Sequence, residues 1–281
     1  MFLRERISGD SKYLFDRSTL KGHAKNVILP NDETELREGM RYSNKGNTKV
    51  TISGTRMGSS GGAVPTGGDV MSMENLSGII GIGSDEKGTY VRVLPCTTIS
   101  QFNNSLSVGN IEPIGEGCDT KGLRFPVKTA LEYTVGGCIS ANRSGVRPYV
   151  RRIRVVFADS TFTTIQRGEF IAEGRRITFP AGRNYYSFDI PDYDSKDDYG
   201  PGIRENMDLI DLFIGSEGIF GIITEADIYI ASEETEAPTK EFGKLYNCYI
   251  RETYGQSALD GIRRVKEILD ANYILNIGNL L

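Results

Sequence analysis

Tryptophan is absent from the 281 residues, and histidine occurs once, at His23. A single imidazole excludes metal sites built from several histidines. It also leaves any Ser-His-Asp triad with one candidate, and His23 lies in a polar N-terminal segment away from any nucleophile-elbow motif. His23 is therefore expected to face solvent or to pack. The four cysteines, Cys96, Cys118, Cys138 and Cys248, match no zinc spacing and are expected to be reduced, mostly buried thiols. No apolar run approaches the length of a membrane span. The opening MFLRERISGDSKYLFD lacks the continuous apolar stretch of a signal peptide, so a cytoplasmic protein is expected. Net charge is -4 with no basic block, which argues against nucleic acid as a partner, because phosphate binding needs a concentrated positive face. With so little acid–base equipment, chemistry in this chain points to a borrowed cofactor.

What is present is ordinary globular composition, 38% hydrophobic and 25% charged, in a chain long enough for a substantial core. Acidic Asp32 and Glu33 after Pro30 mark a helix start, Leu36 and Met40 continue it, and it should fade near Gly46. Val50 to Ser53, Val70 to Met73 and Tyr90 to Leu94 read as strands, and Thr98 caps a helix to Leu106. Helices and strands thus alternate through a mixed α/β region, residues 1–108. After a glycine-rich connector, Gly109 to Gly122, the pattern changes. Arg152 to Ala158 and Phe162 to Ile165 look like strands paired around Asp159-Ser160, Met207 to Phe213 like a helix, and Ile222 to Ala231 like another strand. This second region, residues 109–232, is expected to hold an antiparallel sheet, with Tyr185 to Gly202 as a surface loop. A charged linker, Glu233 to Lys240, opens a third unit, residues 233–281. There Phe242 to Ile250 reads as a strand. Ser257 with Asp260 reads as a capping-box variant before a helix whose apolar face is Leu259, Ile262, Val265 and Ile268/Leu269. Little chain follows to cover that face. The unit is therefore expected to be the opening of a truncated domain, or to be covered by another subunit.

Three small-residue clusters stand out. GTRMGSSGGAVP, Gly54 to Pro65, directly follows a strand. Glycines there let successive backbone N–H groups turn toward one anion, and a diphosphate is the natural ligand of such a nest. The loop is neither a Walker loop nor a G-x-G-x-x-G fingerprint, and by itself it is equally compatible with a turn that binds nothing. EYTVGGCISANRSG, Glu132 to Gly145, pairs Gly136 and Gly137, which admit a flat ligand, with the neutral hydrogen-bonding groups of Thr134, Ser140 and Asn142. DLFIGSEGIFGIITEADI, Asp211 to Ile228, runs from a helix end through glycines into an apolar strand. Alone, each of these is often only a helix stop and a turn.

Together and in this order, GGAVP, TVGGCISANRSG and DLFIGSEGIFGIITEA resemble the FAD-binding domain of the PCMH-type (vanillyl-alcohol-oxidase) flavoproteins, in the D-lactate dehydrogenase/glycolate oxidase branch. The resemblance runs from about Asp16 to Ile230. It implies an α+β fold in which two subdomains, a mixed α/β lobe and an antiparallel-sheet lobe, sandwich non-covalent FAD. By resemblance Gly54, Thr55, Arg56, Met57, Gly58, Ser59 and Ser60 wrap the diphosphate, with Gly61 and Gly62 completing the turn. The stretches Lys128 to Thr134 and Ser140 to Arg143, with Thr129, Thr134, Ser140, Asn142 and Arg143 among them, line the flavin and its ribityl chain, and Gly136, Gly137 and Gly145 are further cofactor-binding candidates. Glu217, Gly218, Gly221, Ile222 and Ile223 lie along the adenine side and the flavin edge. The sequence departs from the family at Arg56-Met57 in place of a Gly-Thr pair and at Pro95-Cys96 in place of Pro-Gly. It departs again at Asp159-Ser160 in place of Asp-Gly, and at Ile219-Phe220 in place of Thr-Leu. Cys138 is expected to be a buried thiol rather than a flavin attachment point.

The function this implies is oxidation of a 2-hydroxy acid, such as D-lactate or glycolate, by hydride transfer to the flavin. A cap domain would supply the base and hold the substrate. No catalytic base stands out in this chain, so the cap or the electron acceptor is expected on a second polypeptide or further segment. Two alternatives are a non-catalytic flavin-binding remnant or accessory subunit, and an NADPH-dependent reductase on the same fold.

Overall fold

The computed structural model describes residues 2–109, 111–114, 120–196 and 199–280. In chain order β1 (Leu3–Arg6) and β2 (Asn26–Leu29) precede α1 (Glu33–Lys45), followed by β3 (Val50–Ser53) and β4 (Asp69–Ser72). Asp32 caps α1 by accepting from the Glu35 amide at 2.8 Å, and Gly46 ends it. Its buried side, Leu36, Gly39 and Met40, lies on the sheet. A Cβ at Gly39 would come within 3.1 Å of Met71 and 3.2 Å of Ile28, so the glycine lets helix and sheet approach closely. The sheet order is β1-β2-β4-β3, with β4 parallel to both β2 and β3 and β1 antiparallel at the edge.

Next come β5 (Ile79–Asp85), β6 (Gly88–Val93), α2 (Ile99–Val108), α3 (Val135–Ser140), β7 (Val150–Val156), β8 (Phe162–Gln166), β9 (Arg176–Ala181), β10 (Asn184–Asp189), α4 (Ile210–Phe213) and β11 (Ile222–Tyr229). A capping box between Thr98 and Gln101 starts α2. The second sheet is antiparallel throughout, in the order β5-β6-β11-β7-β8. The mixed sheet and the antiparallel sheet are the two lobes of the fold class implied by the sequence. β5 and β6 precede residue 108 yet are hydrogen-bonded into the second sheet through the β6–β11 pairing. Buried Asp227 ties its centre together, pairing with Arg92 at 2.8 Å, Arg151 at 3.1 Å and Arg152 at 2.9 Å. Burial alone would raise the Asp227 carboxyl. Arg92 and Arg152 outweigh it and hold the group below the ordinary carboxylate range.

Several expectations change. Tyr185 to Gly202 is not simply a loop: its first residues form β10 in a hairpin with β9, and Ile190, Pro191 and Ile203 just after it are buried. The Asp208 region is less helical than its pattern implied, with α4 covering only Ile210–Phe213. Phe242 to Ile250 is not a strand. It enters α5 (Tyr246–Tyr254), and Phe242, Tyr246, Tyr249 and Ile250 are buried at helical spacing. Then α6 (Gln256–Leu269) starts after Gly255, whose φ is 91°, so Ser257 lies inside the helix and is not its cap. α7 (Ile277–Leu280) closes the described chain.

The apolar face of α6 is covered by the chain's own lobes: Leu259, Ile262, Val265 and Leu269 are buried in the main core, while Ile268 is exposed. Beyond α6 the chain runs beside β3, where Val50 donates to Ile274 at 2.7 Å and Asn276 donates back to Val50 at 2.9 Å. Cys118 lies outside the described residues. Cys96 and Cys138 are buried free thiols, and Cys248 is half-buried.

Candidate functional site

A cleft opens where the end of β3, the N-terminus of α3 and the start of β11 meet. All three small-residue clusters reach it. From the first come Gly54, Thr55, Arg56, Met57, Gly58, Ser60 and Gly62; from the second Thr134, Gly136, Gly137 and Ser140; from the third Glu217, Gly218, Gly221, Ile222 and Ile223. Hydrogen bonds stitch the clusters to one another. Thr55 Oγ1 donates to the Glu132 carbonyl at 3.0 Å. The Gly215 amide donates to Ile139 at 2.9 Å and the Glu217 amide to Ser140 at 2.8 Å.

Glycine is needed here for close approach. A Cβ on Gly136 would sit 2.8 Å from the Pro95 side chain, and the Gly136 amide donates to the Pro95 carbonyl at 2.8 Å. That seats α3 directly against the Pro95-Cys96 turn. Thr134 caps α3, its hydroxyl accepting from Gly137 at 3.2 Å.

Of the other sequence-derived candidates several lie at the rim or outside, and Arg56, though it lines the cleft, turns its charge away from it. Ser59 is exposed at the rim of the cleft, where its amide and hydroxyl meet Glu241, and Gly61 is buried toward Leu20 and Lys244. Thr129 is partly exposed and does not line the cleft. Asn142 is buried, with φ of 44°, and its side chain accepts from the Arg147 amide at 3.0 Å. Gly145, with φ of 70°, shapes the turn that follows. Arg143 stands over the Tyr133 ring at 3.6 Å and is ion-paired with Glu241. Arg56, at φ of 61°, curls back so that its guanidinium donates to the Gly54 carbonyl at 2.8 Å.

Sequence reasoning missed several lining residues. Ile52, Met73, Pro95 and Cys96 form an apolar wall with Ala63, while Tyr133 and Ala141, which line the cleft beside the glycines, lie inside the expected stretches Lys128 to Thr134 and Ser140 to Arg143. Glu241 and Asn276 come from the C-terminal segment. The Asn276 side chain accepts from the Ile52 amide at 2.8 Å and donates to the Glu217 carbonyl at 3.0 Å, clamping β3 to the third cluster. Pro95-Cys96 carried a signal as a departure from the family's wording, whereas Glu241 and Asn276 carried none.

Two carboxylates, Glu217 and Glu241, stand at the cleft beside its apolar walls, Glu241 paired with Arg143. Glu241 Oε2 accepts from the Ser59 amide at 3.0 Å and from Ser59 Oγ at 3.2 Å. Burial pushes the Glu217 carboxyl up, while the Phe242 and Gly243 amides and Arg143 pull it down without cancelling the rise. Burial also pushes the Cys96 thiol up to about 11 and the Cys138 thiol up to about 12, so neither is a ready thiolate. Among the described residues no group of three or more His, Cys, Asp and Glu side chains could hold a metal ion, and no helix is long and apolar enough to cross a membrane.

These residues fit a dinucleotide. A carboxylate already sits on Ser59 of the glycine loop, so the loop accepts anionic oxygen, and apolar and glycine surfaces beside it suit flat rings. Two sheets with such a cleft between them define an FAD-binding domain of the PCMH type. Residues 24–166 match the family described as "FAD binding domain", and the chain belongs to that family.

Among curated relatives, a D-lactate dehydrogenase of Anaerostipes hadrus is 25% identical over 230 residues, covering 78% of this chain and 39% of that protein. A D-lactate dehydrogenase of Archaeoglobus fulgidus is 27% identical over 215 residues, 72% of this chain and 38% of that protein. The chain thus spans about two fifths of the length of these relatives. In fold it is similar to an alkyldihydroxyacetonephosphate synthase structure, with a TM-score of 0.51 at 13% identity, over 78% of this chain and 36% of the other.

Proposed function

We propose that this chain is the cofactor-holding part of an FAD-dependent oxidoreductase that oxidises a 2-hydroxy acid such as D-lactate or glycolate. The observation that supports it most is the meeting of Gly54 to Gly62, Thr134 to Ala141 and Glu217 to Ile223 at one cleft. When bound, FAD supplies a two-electron acceptor, flavin N5, for the hydride on the substrate's α-carbon.

The chain's own share is binding and orientation. The backbone of Gly54 to Ser60, the Ser59 amide above all, and the Arg143 guanidinium receive the diphosphate. Pro95, Ile222, Ile223 and the Gly136-Gly137 backbone flank the rings and exclude water. Attachment is non-covalent, in keeping with the raised Cys96 and Cys138 thiols. We assign no catalytic base to this chain. In this proposal the substrate-holding groups and the base come from a part of the relatives that it does not span, on the same or a second polypeptide, in a cytoplasmic setting.

The test is an anaerobic titration of the purified chain loaded with FAD. The protein is expected to be yellow and to lose its colour to the supernatant on acid precipitation, and D-lactate or glycolate is expected to bleach it only when the part of the relatives that would hold the substrate is supplied with it. Bleaching by NADPH alone would overturn the substrate assignment in favour of a reductase. Bound flavin that none of these reduces even with that part supplied would leave a flavin-holding subunit.

A further inference from the structure

We infer that Glu241 is an internal stand-in for a ligand phosphate, and that a dinucleotide enters the cleft by displacing its side chain; this rests on the FAD-binding reading proposed above. The Glu241 carboxylate holds the donors that a diphosphate would use. It accepts from the Ser59 amide at 3.0 Å and Ser59 Oγ at 3.2 Å, and it is ion-paired with Arg143. Its Oε2 lies 3.8 Å from where a Gly58 Cβ would be, within the mouth of the loop.

Two anions cannot share those donors. Each would lose a charge-assisted hydrogen bond and meet the other's charge at contact distance. The backbone around Glu241 is anchored. The Phe242 amide donates to Glu217 Oε1 at 3.0 Å, the Phe242 ring stacks on Tyr249 at 3.7 Å, and the Lys244 amide donates to the Ser60 carbonyl at 3.1 Å. Displacement therefore falls to the Glu241 side chain, which can rotate out toward the exposed strap of residues 232–240. Arg143 keeps its place over Tyr133 and exchanges one anionic partner for another, so the charge balance at the loop is preserved. A ligand lacking an anionic group gains nothing by the exchange. The loop thus selects for the phosphates of a dinucleotide over its rings.

The experiment compares the native chain with Glu241→Gln, titrating each with FAD, riboflavin and inorganic pyrophosphate by flavin fluorescence and calorimetry. Glu241→Gln is expected to bind FAD and pyrophosphate about tenfold tighter, the scale of one charge-assisted contact no longer displaced, with riboflavin affinity unchanged. Glu241→Asp keeps the charge but shortens the reach to Ser59, and is expected to tighten both by less. A purely structural effect would move riboflavin as well. If neither variant binds pyrophosphate or FAD more tightly than the native chain, the competition is wrong; should Glu241→Gln not fold, the Glu241→Asp titration decides on the same terms. Pyrophosphate tightened by the substitution, with FAD bound by no form, would instead keep the competition and sink the FAD reading.

Discussion

An aspartate placed at Gly58 is expected to cut FAD affinity about a hundredfold, because it sets a second negative charge within a few ångströms of the bound phosphates in a partly desolvated loop. The position tolerates a side chain. Gly58 is absent from the residues with positive φ, and the only atom near its would-be Cβ is Glu241 Oε2 at 3.8 Å. The loss is therefore electrostatic rather than steric. Gly58→Asn, of the same size without the charge, separates the two. Equilibrium titration with FAD is expected to show less than about a tenfold change for Asn, since neutral hydrogen-bonding groups cost little at a polar rim. Equal losses for Asp and Asn would show that crowding, not charge, governs the loop. No loss for either would remove the loop from the site.

The second large effect is expected from Lys266→Met. Lys266 is fully buried and gives its three protons to three acceptors: the Ile219 carbonyl at 2.6 Å, the Leu275 carbonyl at 2.7 Å and Asp270 Oδ2 at 2.6 Å. Burial pushes its ammonium down to about 8 against the pull of Asp270. Methionine fills the same space but leaves a buried carboxylate without its cation and two carbonyls without a donor. The loss expected is about 3–5 kcal/mol, read from the urea midpoint at constant m. Asp270 also accepts the Ile274 amide on Oδ1 at 3.0 Å and the Leu275 amide on Oδ2 at 2.8 Å, so adding Asp270→Asn, which removes the unpaired charge but sets an NH2 against one of these amides, should not restore the native stability. A change below about 1 kcal/mol, typical of an exposed pair, would contradict this role. The residue matters to the cleft because Ile219 belongs to the third cluster and Leu275 bridges to Val50 of β3. Lys266 thus pins the C-terminal segment to both lobes at once.

Much of this architecture is legible in the sequence where the signal is local. Asp32 and Thr98 cap their helices as their residue types imply, and β3, β6 and the β7–β8 hairpin follow β-branched runs and a tight turn. The three glycine clusters are legible because close backbone approach demands small residues whatever the fold. Elsewhere local signals mislead. Pro180 and the polar run after it hide the β9–β10 hairpin, although Ile177, Phe179 and Ala181 alternate into the core. The aromatic-rich run after Phe242 mimics a strand until its buried residues are counted at helical spacing. Glu241 and Asn276 are illegible for a different reason. Glu241 meets Ser59 across 182 residues, and Asn276 meets Ile52 across 224. Nothing near either residue in sequence records those meetings, which exist only once α5 and α6 fold back onto the lobes.

The most direct measurement is a crystal structure of this chain grown with FAD. The diphosphate is expected on the Ser59 amide with Arg143 beside it, Glu241 turned outward, and the rings between Pro95 and Ile222–Ile223. A dinucleotide found away from these segments, or a loop still closed on Glu241 at saturating FAD, would contradict the site.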